Sequence, residues 1–119
     1  MTYDPSTRSL PEMERDLIAF AMESETTGLA WAGAEALKDQ LDDMRRVVLS
    51  DSMPSEGSFA QKEADALKSE PYKKHLQGLY EARKDANEKK VRYIAAQAKL
   101  EAIRTLLSNK RELLKRGIE

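Results

Sequence analysis

The sequence predicts an all-α protein, a helical hairpin or coiled-coil-like bundle built on one long C-terminal helix and assembled as an oligomer. The chain is rich in Ala, Glu, Lys, Leu and Arg, and its 5 glycines and 4 prolines are few for a β-protein. Apolar side chains also recur at helical spacing along most of its length. A long helix exposes an apolar stripe unless another helix covers it, so we expect further copies of the chain to cover this one.

The first predicted region, residues 1–54, holds an N-terminal arm and acidic helices. Residues 1–8 contain Asp, Pro, Ser and Thr and predict a loose arm. Ser9 and Glu12 have the spacing of a capping box, in which each side chain bonds the backbone of the other residue. A short helix is therefore predicted over 10–23.

A second helix is predicted over 29–49, after a break. The run SETTG at 24–28 predicts that break, and a threonine within it can cap the following helix. Apolar residues between 30 and 48 then step by four and three, which predicts a seam against another helix. The Ser-, Pro- and Gly-containing run at 50–58 predicts a connector.

The second predicted region, residues 55–119, holds a short helix and the long basic helix as one structural unit. Ser58 is predicted to cap the short helix. Ser69 is predicted to cap the long one, because Pro71 suits the first turn of a new helix. The long helix is predicted over 70–116. Gly117 then offers the left-handed residue that often ends a helix.

A column of apolar and aromatic residues repeats every seven positions along the long helix. A strict seven-residue repeat predicts left-handed supercoiling against a partner helix. The column comprises Tyr72, Leu79, Ala86, Tyr93, Leu100, Leu107 and Leu114. The residues predicted to make the oligomer contact are Leu79, Tyr93, Leu100, Ile103, Leu107 and Leu114.

Charge is divided unevenly along the chain. Residues 1–68 hold seven Lys/Arg and fourteen Asp/Glu, whereas residues 69–119 hold thirteen and seven. This polarity predicts a basic interaction arm; alternatively, the acidic half folds back onto the basic half. Basic residues in the weak part of the seam, 81–92, face water, an acidic protein surface or phosphates. The predicted nucleic-acid-binding residues are Arg83, Lys84, Lys89, Lys90 and Arg92.

Catalytic and metal chemistry find little support in the sequence. The chain has no cysteine, which excludes disulfides and thiolate sites, and His75 is its one histidine. No glycine-rich phosphate loop or nucleophile motif is present. We therefore expect no enzyme activity, no metal and no cofactor. The longest apolar run is too short for a membrane span and the first five residues do not resemble a secretory signal, so a cytoplasmic protein is expected.

The segment from residue 62 to 111 resembles small helical proteins of tailed phages. Its plan is similar to the UvsY-type recombination mediator family, and Lys90-Val91-Arg92 matches the Lys-x-Arg element of that family's DNA-binding helix. The resemblance implies a ring-forming protein that binds single-stranded DNA and helps load a recombinase onto strands covered by single-strand-binding protein. Residues 1–68 have no counterpart in the family.

The sequence thus leads to two functional hypotheses. The first is a homo-oligomeric, non-enzymatic accessory factor of phage-type recombination or replication, with single-stranded DNA, a recombinase or single-strand-binding protein as partners. The second is a helical protein–protein adaptor or inhibitor that binds no nucleic acid. Both use the basic residues of the long helix, so sequence alone does not separate them.

Overall fold

A computed structural model of the chain describes residues 3–117, so the outermost residues of both predicted regions lie outside the description. The described residues form helices and no strand, which confirms the all-α prediction. The elements are a short 3₁₀ turn, Pro5–Thr7, and then α1 (Leu10–Asp43), α2 (Arg45–Asp51), α3 (Phe59–Leu67) and α4 (Glu70–Lys115).

The predicted break at residues 24–28 is wrong, because α1 runs through it without interruption. The Thr27 hydroxyl donates to the carbonyl oxygens of Glu23 (2.8 Å) and Ser24 (3.1 Å). A threonine that bonds the preceding turn in this way is satisfied inside a helix and need not cap one. The helix instead ends at Asp43, and the predicted helix over 29–49 is divided there between α1 and α2.

The predicted loose arm at residues 1–8 is also wrong where it is described. Asp4 caps the 3₁₀ turn by accepting from the backbone N–H of Ser6 (3.0 Å). Asp16 of α1 accepts hydrogen bonds from the Tyr3 hydroxyl and from the Arg8 guanidinium. These bonds stabilise the charged carboxylate and lower the pKa of Asp16. The arm is thereby fixed against α1.

The predicted starts of α1, α3 and α4 are confirmed by their caps. The Ser9 hydroxyl accepts from Glu12 N–H at 3.3 Å, and the Ser58 hydroxyl from Gln61 N–H at 3.2 Å. Ser69 begins α4, although its hydroxyl lies 3.4 Å from the nearest orphan N–H. At the other end, Gly117 is left-handed and bonds back into the last turn, as predicted.

The first of two compact units combines residues 1–30 with residues 89–119. Within it, the start of α1 packs antiparallel to the end of α4. Two ion pairs show the antiparallel direction. Glu14 of α1 binds Arg111 of α4 (3.2 Å), and Glu23, further along α1, binds the earlier Lys99 of α4 (2.9 Å). The buried residues of the seam are Met13, Ser24, Ala96, Leu100, Ile103 and Leu107.

The second unit comprises residues 31–88, with the end of α1, both short helices and the start of α4. His75, which is half-buried, has its Nε2 2.7 Å from the carbonyl oxygen of Leu41, so α4 meets α1 here as well. The buried residues of this unit are Ala34, Ala66, Tyr72, Leu79, Ala82 and Ala86. Both units draw on both sides of residue 54, where the sequence-based division was placed; that division stays a prediction.

Most of the predicted oligomerisation residues are covered within one chain. Leu79, Leu100, Ile103 and Leu107 are buried, and Tyr93 is half-buried, while Leu114 is 42% exposed. Their burial requires no second copy, because α1 supplies the cover for those in the first unit. Their part in oligomer formation stays a prediction.

Two leucines of the same seven-residue column test this cover. Leu107→Ala is expected to lower the free energy of unfolding by about 2–5 kcal/mol, because its side chain is 1% exposed. Leu114→Ala, seven residues later, is expected to cost less than about 1 kcal/mol. Urea unfolding followed by circular dichroism measures both. Equal losses would contradict the seam.

Two glycines of α1 test its continuity and its packing. An added Cβ at Gly33 meets nothing within 4 Å, so Gly33→Ala is expected to stabilise the protein by about 0.5–1 kcal/mol. At Gly28 the same atom would lie 3.0 Å from the Tyr93 ring, so Gly28→Ala is expected to bring no such gain. Thermal unfolding compares the two variants. An equal gain at both positions would show that Tyr93 does not pack on α1.

Candidate nucleic-acid interface

The five predicted nucleic-acid-binding residues all lie on α4 but fall in different units. Arg83 and Lys84 belong to the unit of residues 31–88, and Lys89, Lys90 and Arg92 belong to the other.

In the unit of residues 31–88, Arg83 is already engaged. Its guanidinium lies 3.4 Å from a carboxylate oxygen of Asp42, and both side chains are about half exposed. An exposed pair of this kind contributes less than about 1 kcal/mol, so a phosphate can replace the carboxylate at little cost. Lys84 and Tyr80 are exposed on the same helix. Tyr80 thus has the exposure that stacking on an unpaired base requires.

In the unit of residues 1–30 and 89–119, two cationic side chains line a shallow groove with α1. This basic groove has a volume of about 100 Å³. Its lining residues are Thr26, Thr27 and Ala30 from α1, and Lys89 and Arg92 from α4. Residues three and four apart share one face of a helix, which explains why these side chains point into the same groove.

The chemistry of the basic groove suits an anion. Arg92 is exposed and makes no ion pair with any residue between 3 and 117. The Thr27 hydroxyl donates its one hydrogen within α1 and has none left for an anion, whereas the exposed Thr26 hydroxyl can donate. A guanidinium, an ammonium and a hydroxyl donor together match the oxygens of a phosphate.

Tyr93 positions α4 beside the groove. Its ring lies so close to α1 that a side chain at position 28 would contact it, and only glycine leaves that space open. Its hydroxyl accepts a hydrogen bond from the Gln97 amide at 3.0 Å. Tyr93 therefore packs within the unit. Its sequence pattern indicated an apolar contact but not the helix that provides it.

Other basic residues of this unit are held by acids or by backbone. Lys99 binds Glu23, and its ammonium also lies 4.8 Å from the centre of the Phe20 ring. Arg111 binds Glu14. The acidic half thus pairs with the basic half along the seam, as the second reading of the charge pattern predicted. Arg92 differs from these residues in having no such acid.

Two exposed apolar stripes were missed by the sequence analysis. The α1 stripe consists of Ile18, Met22 and Leu29, and the α4 stripe of Val91, Ile94, Ala95, Ala98 and Ala102. The five large side chains among them are each more than half exposed. Their spacing of three, four and seven residues is the signal that could have found them. The sequence-based prediction has one covered seam on each helix, whereas these stripes lie on the opposite faces of the helices.

Metal and membrane sites are not evident in the part of the chain that is described. Residues 3–117 contain no group of three or more His, Asp or Glu placed to hold a metal ion. None of the helices in that range is both long and apolar enough to cross a membrane.

Comparisons with protein-family models, with curated proteins and with solved structures found no match.

Proposed function

We propose that this protein is a non-enzymatic, cytoplasmic accessory factor of phage-type DNA recombination or replication that binds single-stranded DNA as a homo-oligomer. The observation that carries the proposal is the basic groove, where Lys89 and Arg92 of α4 face the threonines of α1. Lys90 adds charge beside the groove, and Arg83 with Lys84 form the second contact group of the same helix.

A phosphate backbone suits this set better than base edges do. Lysine, arginine and threonine bind phosphate oxygens, whereas base reading needs a helix or ribbon shaped to enter a groove of the duplex. When lysine and arginine neutralise phosphates, the nucleic acid releases its counterions, which makes the affinity strongly dependent on salt. The exposed Tyr80 ring favours unpaired bases over a closed duplex. Recognition is therefore expected to be independent of sequence.

The protein partners of this function are a recombinase or a single-strand-binding protein. Apolar side chains exposed on two helix faces are costly to leave in water, which supports contact with a protein, either a partner of this kind or a second copy of the chain. The two classes of contact use different residues, so they can be tested separately.

Arg92→Ala tests the basic groove. The variant is expected to weaken binding to labelled oligothymidylate and to reduce the slope of log K against log salt by about 0.7, the value of one phosphate contact on a single strand. Fluorescence anisotropy across a salt series measures both. Arg46→Ala is the matched control, because it removes the same charge from an exposed site on α2 and is expected to change neither quantity.

Two results would contradict the proposal. One is the absence of binding by the unaltered chain at low salt. The other is an equal effect of both substitutions, which would mean that the oligonucleotide responds to net charge and not to the groove.

A second candidate function is a protein–protein adaptor or inhibitor without nucleic-acid binding. The exposed apolar stripes favour it, since no phosphate needs them. The anisotropy series separates the two functions, because an adaptor leaves the oligonucleotide signal unchanged at every salt concentration.

A further inference from the structure

The unit of residues 1–30 and 89–119 has two apolar stripes on outward faces. Along α1, Ile18, Met22 and Leu29 lie on the side opposite the buried Met13 and Ser24. Along α4, the stripe defined above lies opposite the buried column. The seam between the helices therefore leaves both stripes without cover in a single chain.

The two stripes differ in shape in a complementary way. The α1 stripe presents large, flexible side chains, and Met22 at its centre has the most freedom to adjust. The middle of the α4 stripe is small, because it consists of alanines at positions 95, 98 and 102. Small residues at this spacing let a second helix approach closely and receive its larger side chains between them.

The charges around the stripes are also complementary. The α1 segment 10–30 holds five acidic residues and one basic residue, while the α4 segment 89–115 holds two acidic and eight basic. Arg92 and Lys99 flank the α4 stripe, and Lys99 is already bound to Glu23 at 2.9 Å. The acidic neighbour of this stripe, Glu101, is bound by an arginine of its own helix at 2.9 Å.

This pattern selects the occupant of each stripe. Two α4 stripes would bring the same basic flanks together, and two α1 stripes the same acidic ones, so each kind of stripe repels its own kind. An α1 stripe against an α4 stripe brings opposite charges together. The seam inside the unit already pairs the same two segments, with Glu23 bound to Lys99.

We infer that a second copy of this chain docks its α1 stripe onto the α4 stripe of the first. Such an interface is heterologous, since the two copies contribute different surfaces. Each copy then retains an unused stripe of the other kind, so assembly continues into a ring or a filament. The inference rests on the homo-oligomeric part of the proposed function, and it assigns the contact to residues other than the buried column.

Two single substitutions test the interface without disturbing the seam, because Met22 and Ala98 are exposed and lysine is a good helix former. Met22→Lys blocks the α1 stripe and Ala98→Lys blocks the α4 stripe. Each variant alone is expected to assemble about tenfold more weakly or worse and to have the mass of a monomer in light scattering. Ala64→Lys, at an exposed site on α3, is the matched control and is expected to keep the mass of the unaltered protein.

Mixing the two variants gives the decisive measurement. Each retains one intact stripe of a different kind, so an equimolar mixture is expected to form a dimer and to stop there. A monomeric unaltered protein, a mixture that stays monomeric, or disruption by only one of the substitutions would overturn the inference. The measurement is made without nucleic acid, so its failure leaves the result of the anisotropy series standing.

Discussion

The fold depends on covering the apolar edge of α4, a helix of 46 residues. In the unit of residues 1–30 and 89–119, α1 supplies the cover, and one polar contact sets the register of the two helices. Ser24 is buried in the seam, and its hydroxyl accepts from the Gln97 amide at 2.6 Å. A slip of one helical turn would leave the buried Ser24 hydroxyl without this partner, at a cost of about 1–3 kcal/mol, while the Gln97 amide would keep its bond to the Tyr93 hydroxyl. The leucines supply most of the stabilisation, and this pair selects one alignment.

Local signals predicted α3 and α4 well because their caps are local. A serine hydroxyl reaches an N–H three residues away whatever the rest of the chain does, so Ser58 and Ser69 could be read from sequence. The break predicted inside α1 failed for the opposite reason. Gly28 there is not a helix end but the place where the Tyr93 ring approaches α1, a contact between residues far apart in sequence. The fixed N-terminal arm likewise depends on Asp16, which only the folded chain brings near Tyr3.

The sequence predicted the basic residues of the candidate site but not the residues of α1 that line the groove with them. Composition and spacing identified the basic residues of α4, because charge is a property of the sequence itself. Whether a given cation is neutralised depends on which acid packs beside it. Lys99 and Arg111 are held by acids of α1, whereas Arg92 meets threonine. The sequence contains all of these residues but does not state the alignment that pairs them.

The seven-residue column of α4 predicted a partner helix, and the part of that column in forming an oligomer stays a prediction. A strict repeat requires a partner helix but does not say whether that helix belongs to the same chain. In the unit that contains Leu100 and Leu107, α1 covers the repeat. The apolar side chains that stay exposed there are those of the outward stripes. A head-to-tail assembly through those stripes would repeat the basic groove once per copy. A single strand that crossed several grooves would gain affinity from each through effective concentration. In this proposal self-association and nucleic-acid binding are linked, since the first would multiply the contacts that the second needs.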